Sequence, residues 1–347
     1  MTTTGFQAEK RLVLDHYAAV AEATADTIAD VLAKRTSADW LWRGFHPCHE
    51  QTGAANVAAA FWSPFLTAFT KVQRRQDIFI AGRNQIDDYA SVWTLSMGHL
   101  MGLFDEPLYG IPPTRKIAML RYAEFNKVEN GKITETAFFF DLIHLMHQAG
   151  LQPLPPQTGA HLVQPGPMTH DGLLFEDHPD PAEGEATLDL INRMIGDIAR
   201  NSNDGSGNAP YDATPQQELS RCWHDDMIWW GPDGIGATYS IDRYVDQHQQ
   251  PFRRQLTNRT FNGHLSKLAE GNFGGFFGWP NLTVTPLGGY LGLPAGPPAD
   301  MRVIDVYRRD GDKLAENWIF IDILHFLNQQ GLDVLARQAE LAGTTNA

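Results

Sequence analysis

The sequence predicts an α+β fold laid down twice in tandem. Three observations carry that reading. First, residues 121–151 align with residues 302–332 without a gap. Arg121, Lys132, Glu135, Phe139, Asp141, His144, Gln148, Gly150 and Leu151 recur as Arg302, Lys313, Glu316, Phe320, Asp322, His325, Gln329, Gly331 and Leu332. Second, each copy runs helix-periodic sequence first, strand-like sequence next and a helix last, an order that suits α+β better than alternating α/β. Third, 347 residues suffice for two domains of ordinary size, each burying its own core. The expected boundaries are 1–150 for the first copy, 151–186 for a proline-rich linker and 187–347 for the second copy.

The elements follow in order. Val13, Tyr17, Val20, Thr24, Ile28 and Val31 step by three and four, which predicts one opening helix with a single apolar face. Leu188, Ile191, Met194, Ile195 and Ile198 predict its counterpart. Aromatic clusters come next, Asp39-Trp40-Leu41-Trp42 and Asp226-Met227-Ile228-Trp229-Trp230, and then short helical stretches that reach Pro64-Phe65 and Pro251-Phe252. Strands follow, with Gly110-Ile111-Pro112 and Gly292-Leu293-Pro294 as turns. Asn130-Gly131 predicts a type I′ hairpin, with Gly311-Asp312 in its place in the second copy. The last helices begin at Asp141 and Asp322. Between the copies, Pro155-Pro156, Pro165-Gly166-Pro167 and Pro179-Asp180-Pro181 oppose helix and central strand. Residues 201–210 predict an exposed loop. A curled antiparallel sheet wrapped around a helix makes a cone with an apolar interior, a favoured place for a small ligand.

Composition narrows the function classes. The net charge of −14 argues against nucleic acid and anionic membranes as partners. Hydrophobic content of 43% with 20% charged residues describes a globular chain, and no apolar run is long enough to predict a membrane span. The N-terminus lacks the order of a secretory signal, and the two cysteines, Cys48 and Cys222, fall in different copies, so a reducing cytoplasmic setting is expected.

The segment from Asp300 through Asp322 to Leu332 resembles the C-terminal signature of the SnoaL-like polyketide cyclase family, and Gly292-Leu293-Pro294 fits the turn that precedes it. The first copy resembles it through Gly110-Ile111-Pro112-Pro113-Thr114 and residues 124–151. The resemblance is specific over the last part of each copy. It implies two tandem NTF2-like cone domains and cofactor-independent general acid/base chemistry of the cyclase, isomerase or lyase type on a small apolar carbonyl compound. It also implies an intrachain pseudo-dimer, with a further homo-oligomer left open. Fold analogy alone does not fix the reaction. A non-catalytic ligand-binding or protein-interaction module is the competing reading.

The resemblance makes Asp141 and Asp322 the leading acid/base candidates, flanked by Phe138-Phe139-Phe140 and Ile319-Phe320-Ile321. Apolar burial would raise a carboxyl pKa toward the working range of a general base. The structural alternative is that each aspartate is a helix N-cap. His144 and His325, three residues on, either pair with the aspartates or complete the caps. Glu124 and Asp305 hold matching strand positions and supply a second carboxyl if their face is interior. In the second copy, Trp230, Trp279, Trp318, Tyr307 and His264 are expected to bind substrate; in the first, Tyr122, His46 and His99. Tyr307, His264 or Asp305 would serve the developing oxyanion. His46-Pro47-Cys48-His49 lacks the distant second pair of a zinc site, so no metal is expected. Gly271-Asn272-Phe273-Gly274-Gly275 leads into strand-like sequence instead of a helix, so no nucleotide cofactor is expected.

Overall fold

A computed structural model describes residues 5–198 and 214–341; the loop expected at 201–210 lies outside the described residues. The chain forms two compact units. One comprises the chain up to Pro153, the segment Pro165–Asp177 and the chain from Gly331 onward; the other comprises Leu154–Gln164 and His178–Gln330.

In the first unit, α1 (Gln7–Ala21) buries Val13, Tyr17 and Val20, the face expected from their spacing. The predicted single helix is broken before α2 (Ile28–Ala33). Thr27 Oγ1 accepts from the Thr24 amide at 2.9 Å, a local bond that competes with the helical ladder. β1 (Thr36–Gly44) and β2 (His49–Thr52) precede α3 (Ala54–Val57), a π-helical turn (Ala58–Trp62) and α4 (Ser63–Ala68). The strands β3 (Phe69–Arg83), β4 (Val92–Phe104), β5 (Ile117–Glu129) and β6 (Lys132–Phe140) lead to α5 (Leu142–Gln148). Asn130 and Gly131 both take positive φ, 51° and 71°, as a type I′ turn requires.

The sheet order is β2-β1-β6-β5-β4-β3. β1 runs parallel to β6 and the other pairs are antiparallel. The expected all-antiparallel sheet is therefore mixed. β1 meets β6 only after the whole intervening copy, a connection long enough for a parallel pairing. Register shifts between β3 and β4, at Thr70/Gln73 and Gln76/Ile78, bend the sheet. Inside it, Phe61, Phe65, Phe69, Phe104, Phe138 and Phe140 are buried and in mutual ring contact.

In the second unit, α6 (Pro181–Ile198) starts inside the expected linker. Proline is well suited to a first helical turn, and Asp180 Oδ1 accepts from the Ala182 amide at 3.0 Å. α7 (Pro215–Ser220), β7 (Trp223–Trp230), β8 (Thr238–Tyr239), α8 (Ile241–Tyr244), a π-helical turn (Val245–Gln249) and α9 (Gln250–Gln255) follow. Then come β9 (Leu256–Phe261), β10 (Ser266–Glu270), β11 (Phe273–Pro286), β12 (Ala299–Asp310), β13 (Lys313–Ile321) and α10 (Ile323–Gln329). The order is β10-β11-β12-β13-β7-β8, with β9 on β11, and β13 and β7 again make a parallel pair.

The proline-rich stretch is divided between the units. Ala160 bridges Ala237 in the second unit, whereas Leu173 bridges Phe79 of the edge strand β3 in the first. There Lys10, fully buried, places Nζ 3.2 Å from Asp177 Oδ1. The C-terminal helix α11 (Val334–Leu341) belongs to the first unit, where a Cβ on Gly110 would come within 3.0 Å of Ala339 Cβ.

Candidate functional site

Strand alternation sorts the predicted residues onto two faces of each sheet. On β12, Val303, Asp305 and Tyr307 share one face. They stand opposite Ile321, Ile319 and Asn317 of β13, and Asp305 also faces Phe276 of β11. Arg302 is on the other face, as are Trp318 and its cross-strand partner Trp230. Asp322 follows Ile321, one residue out of phase with the Asp305 face.

The two aspartates of the repeat are helix caps. Asp141 Oδ1 accepts from the His144 amide at 2.9 Å, and Asp322 Oδ1 accepts from the His325 amide at 3.2 Å. Both are buried. Asp322 Oδ2 also lies 3.3 Å from Arg302 Nη1, and the Arg302 guanidinium sits 3.9 Å over the Trp279 ring. His144 is buried, its Nδ1 3.2 Å from Gln148 Nε2, while His325 is half-buried. Asp322, Arg302 and Trp279 thus form one cluster at the strand-to-helix corner, on the face opposite Asp305.

Asp305 is buried between Phe276 and Ile319. Asn317 Nδ2 donates to its Oδ1 at 3.1 Å, and the Tyr307 hydroxyl is also hydrogen-bonded to it. Burial pushes its pKa up to about 7, against the pull of the two hydrogen bonds. Burial, and then Asp305 itself, holds the Tyr307 phenol far above its ordinary range. Burial likewise raises Tyr244 of α8, with Asp305 adding to the shift. Both phenols therefore stay protonated and able to donate. Arg253, whose charge opposes that rise at Tyr244, is paired with Glu218 at 2.8 Å. Asp305 makes no ion pair among the described residues.

A ring path leads outward from this group. Tyr307 lies 5.8 Å from Phe276, on which half-buried His264 stacks at 4.0 Å, and His264 meets Phe261 at 5.0 Å. Burial, helped by Lys267, lowers the His264 pKa to about 3, so this histidine is neutral. Phe261 and Leu265 are exposed.

The first unit treats the equivalent position differently. Glu124 is buried opposite Ser96 and Phe138. Its Oε2 accepts from Arg74 Nη1 at 2.6 Å and its Oε1 from Asn126 Nδ2 at 3.2 Å. Asn126 Nδ2 also donates to Tyr17 Oη at 3.0 Å, and its Oδ1 accepts from Thr136 Oγ1 at 2.6 Å. The Arg74 guanidinium lies 3.8 Å over Tyr17 and 4.6 Å over Tyr122, whose hydroxyl meets Ser96 Oγ at 2.9 Å. His99 faces Arg121 on the opposite side of β4, its Nδ1 3.5 Å from Asp77 Oδ2, so the sheet separates it from Glu124. His46 is half-buried in the β1–β2 loop with its ring 5.2 Å from that of His49.

No family model matches this sequence, and no curated protein matches it. Solved structures do. The likeness is to SnoaL-like and NTF2-like chains. A SnoaL-like protein from Jannaschia sp. CCS1 is 17% identical with a TM-score of 0.34, covering 45% of this chain and 98% of its own. An NTF2-like protein from Burkholderia xenovorans LB400 is 11% identical with a TM-score of 0.33, covering 42% and 97%. IdmH from Streptomyces antibioticus, named as a candidate polyketide cyclase, is 14% identical with a TM-score of 0.31, covering 41% and 99%.

Four residues at these positions were not singled out by sequence reasoning. Asn317 and Thr136 hold matching positions in the gapless repeat, and that pairing was the available signal. Arg74 and Tyr244 lie outside the aligned segments. Only the fold brings them to the carboxyls.

Proposed function

We propose that the second unit carries out cofactor-independent proton transfer on a small, largely apolar carbonyl compound, with Asp305 as the acid/base. The observation that supports this most is a buried carboxyl, free of any ion pair among the described residues, hydrogen-bonded to the Tyr307 phenol and within electrostatic reach of the Tyr244 phenol, both held in their protonated form. A carboxyl with a pKa near 7 is matched to both accepting and returning a proton at neutral pH.

In this reading Asp305 removes a proton from the carbon next to the carbonyl, and the electron pair moves onto the carbonyl oxygen. Tyr307 or Tyr244 donates a hydrogen bond to that oxygen as its charge develops. Protonated Asp305 then returns the proton, to another carbon in an isomerisation or to the new oxyanion after ring closure. Asn317 orients the carboxyl. The exposed Phe261 and Leu265 suit an apolar substrate. Asp322, engaged by α10 and Arg302, fixes the corner of the fold and takes no proton.

The test is turnover of Asp305→Asn and Asp322→Asn on candidate β-keto and polyketide-like substrates. The reading expects Asp305→Asn to lose roughly 100- to 10,000-fold in kcat while Asp322→Asn stays active. The opposite pattern overturns it.

A further inference from the structure

The two interiors differ at one strand position. In the first unit, Arg74 of β3 pairs in register with Leu100, and Leu100 with Leu120. In the second, Phe261 of β9 pairs with Leu282, and Leu282 with Met301. Leu120 and Met301 stand immediately before the two repeat segments, at the same offset that matches Glu124 to Asp305. Phe261 therefore stands where Arg74 stands. Arg74 turns inward onto Glu124 at 2.6 Å, whereas Phe261 is 54% exposed and brings no charge.

We propose that this position decides which copy keeps an inner carboxyl without a cationic partner: Arg74 ion-pairs Glu124, whereas Phe261 brings Asp305 no charge. The first unit is then a chemically silent copy, kept for its fold. The inference rests on Asp305 as the working group of the second unit. A guanidinium in direct contact holds a carboxylate ionised, whereas apolar neighbours favour the neutral acid. The groups facing Glu124 are Arg74, Asn126, Tyr17 and Tyr122; those facing Asp305 are Asn317, Tyr307 and Tyr244. The neighbour Ser96 on one side of Glu124 becomes Phe276 beside Asp305, which sharpens the contrast.

The experiment reads carboxyl protonation by infrared spectroscopy of the full chain, with no substrate. The wild type should show a buried carboxyl band titrating near neutral pH, lost in Asp305→Asn and kept in Glu124→Gln. Arg74→Met should add a second band, absent from the Arg74→Met/Glu124→Gln double variant. Phe261→Arg should move the Asp305 midpoint down by about 1–3 pH units. Loss of the wild-type band in Glu124→Gln overturns the inference. So does a folded Arg74→Met without a new band, or an unmoved midpoint in Phe261→Arg. If Arg74→Met fails to fold, the Phe261→Arg arm decides alone. If the bands behave as expected but Asp305→Asn retains turnover, the titration pattern stands and the catalytic assignment fails.

Discussion

Arg302 Nη1 lies 3.3 Å from Asp322 Oδ2, and the same carboxylate caps α10 through its other oxygen. One acidic side chain thus ties the start of β12 to the end of β13 and the beginning of the last helix. Its sequence setting, apolar and repeated, fits catalysis and capping equally, and its geometry commits both oxygens to the scaffold.

Asp322→Ala should therefore act on stability. Loss of a cap costs about 0.5–2 kcal/mol, and the stranded Arg302, largely buried beside Trp279, adds to that. Asp322→Asn keeps a cap and should lose less. Urea unfolding midpoints of the two variants give the comparison.

Asp305→Asn should stabilise the protein at neutral and alkaline pH. The folded pKa of Asp305 is raised to about 7 from 3.8, so the folded chain holds this proton where the unfolded chain releases it. Stability relative to the asparagine variant then falls as pH rises from about 4 to about 7 and levels off above. Thermal midpoints of both proteins across that range should converge on the acid side. Parallel curves would show that Asp305 titrates normally.

If Asp305 acts as a base, kcat/KM should rise with pH through a midpoint near 7 and reach a plateau above it. Tyr307→Phe should raise that midpoint, because the lost hydrogen bond favours the ionised carboxylate, while lowering kcat by roughly 100-fold, the cost of one oxyanion donor. Unchanged kcat would remove Tyr307 from the mechanism and leave Tyr244 as the donor.

Asn126→Leu in the first unit should be destabilising without touching turnover. It removes the acceptor of the Thr136 hydroxyl and the donor to the Tyr17 phenol and Glu124 Oε1 in the core, a loss of about 1–3 kcal/mol. Chemical denaturation combined with an activity assay separates the two effects.

Lys10→Met should loosen the segment 165–177. Lys10 Nζ holds Asp177 at 3.2 Å and the Glu176 carbonyl at 3.0 Å, next to the place where the Leu174 amide bonds to the Phe79 carbonyl at 2.9 Å. Faster hydrogen exchange at the Leu174 amide, with β4 and β5 unchanged, is the expected signature.

Much of the fold was legible in residue patterns. The gapless repeat gave two copies, Asn130-Gly131 gave a hairpin, and Asp141 and Asp322 marked helix starts, because these signals are local. The opening helix was overextended because Thr24 and Thr27 keep the apolar spacing while breaking the backbone ladder. The parallel β1–β6 and β7–β13 pairs were illegible, since pairing direction depends on partners far along the chain. The candidate site was half legible. Asp305 and Tyr307 could be placed on one face by alternation, but nothing local says which face is interior. That Asp322 sits across the sheet from them follows only from the observed register.

The allocation of segments has a practical result for anyone dissecting the gene. A first half stopped at residue 150 would forfeit both the strip that covers the rim of β3 and the helix seated on Gly110, because those pieces are encoded further downstream. A single cut cannot liberate either half intact; each must be rebuilt from stitched fragments.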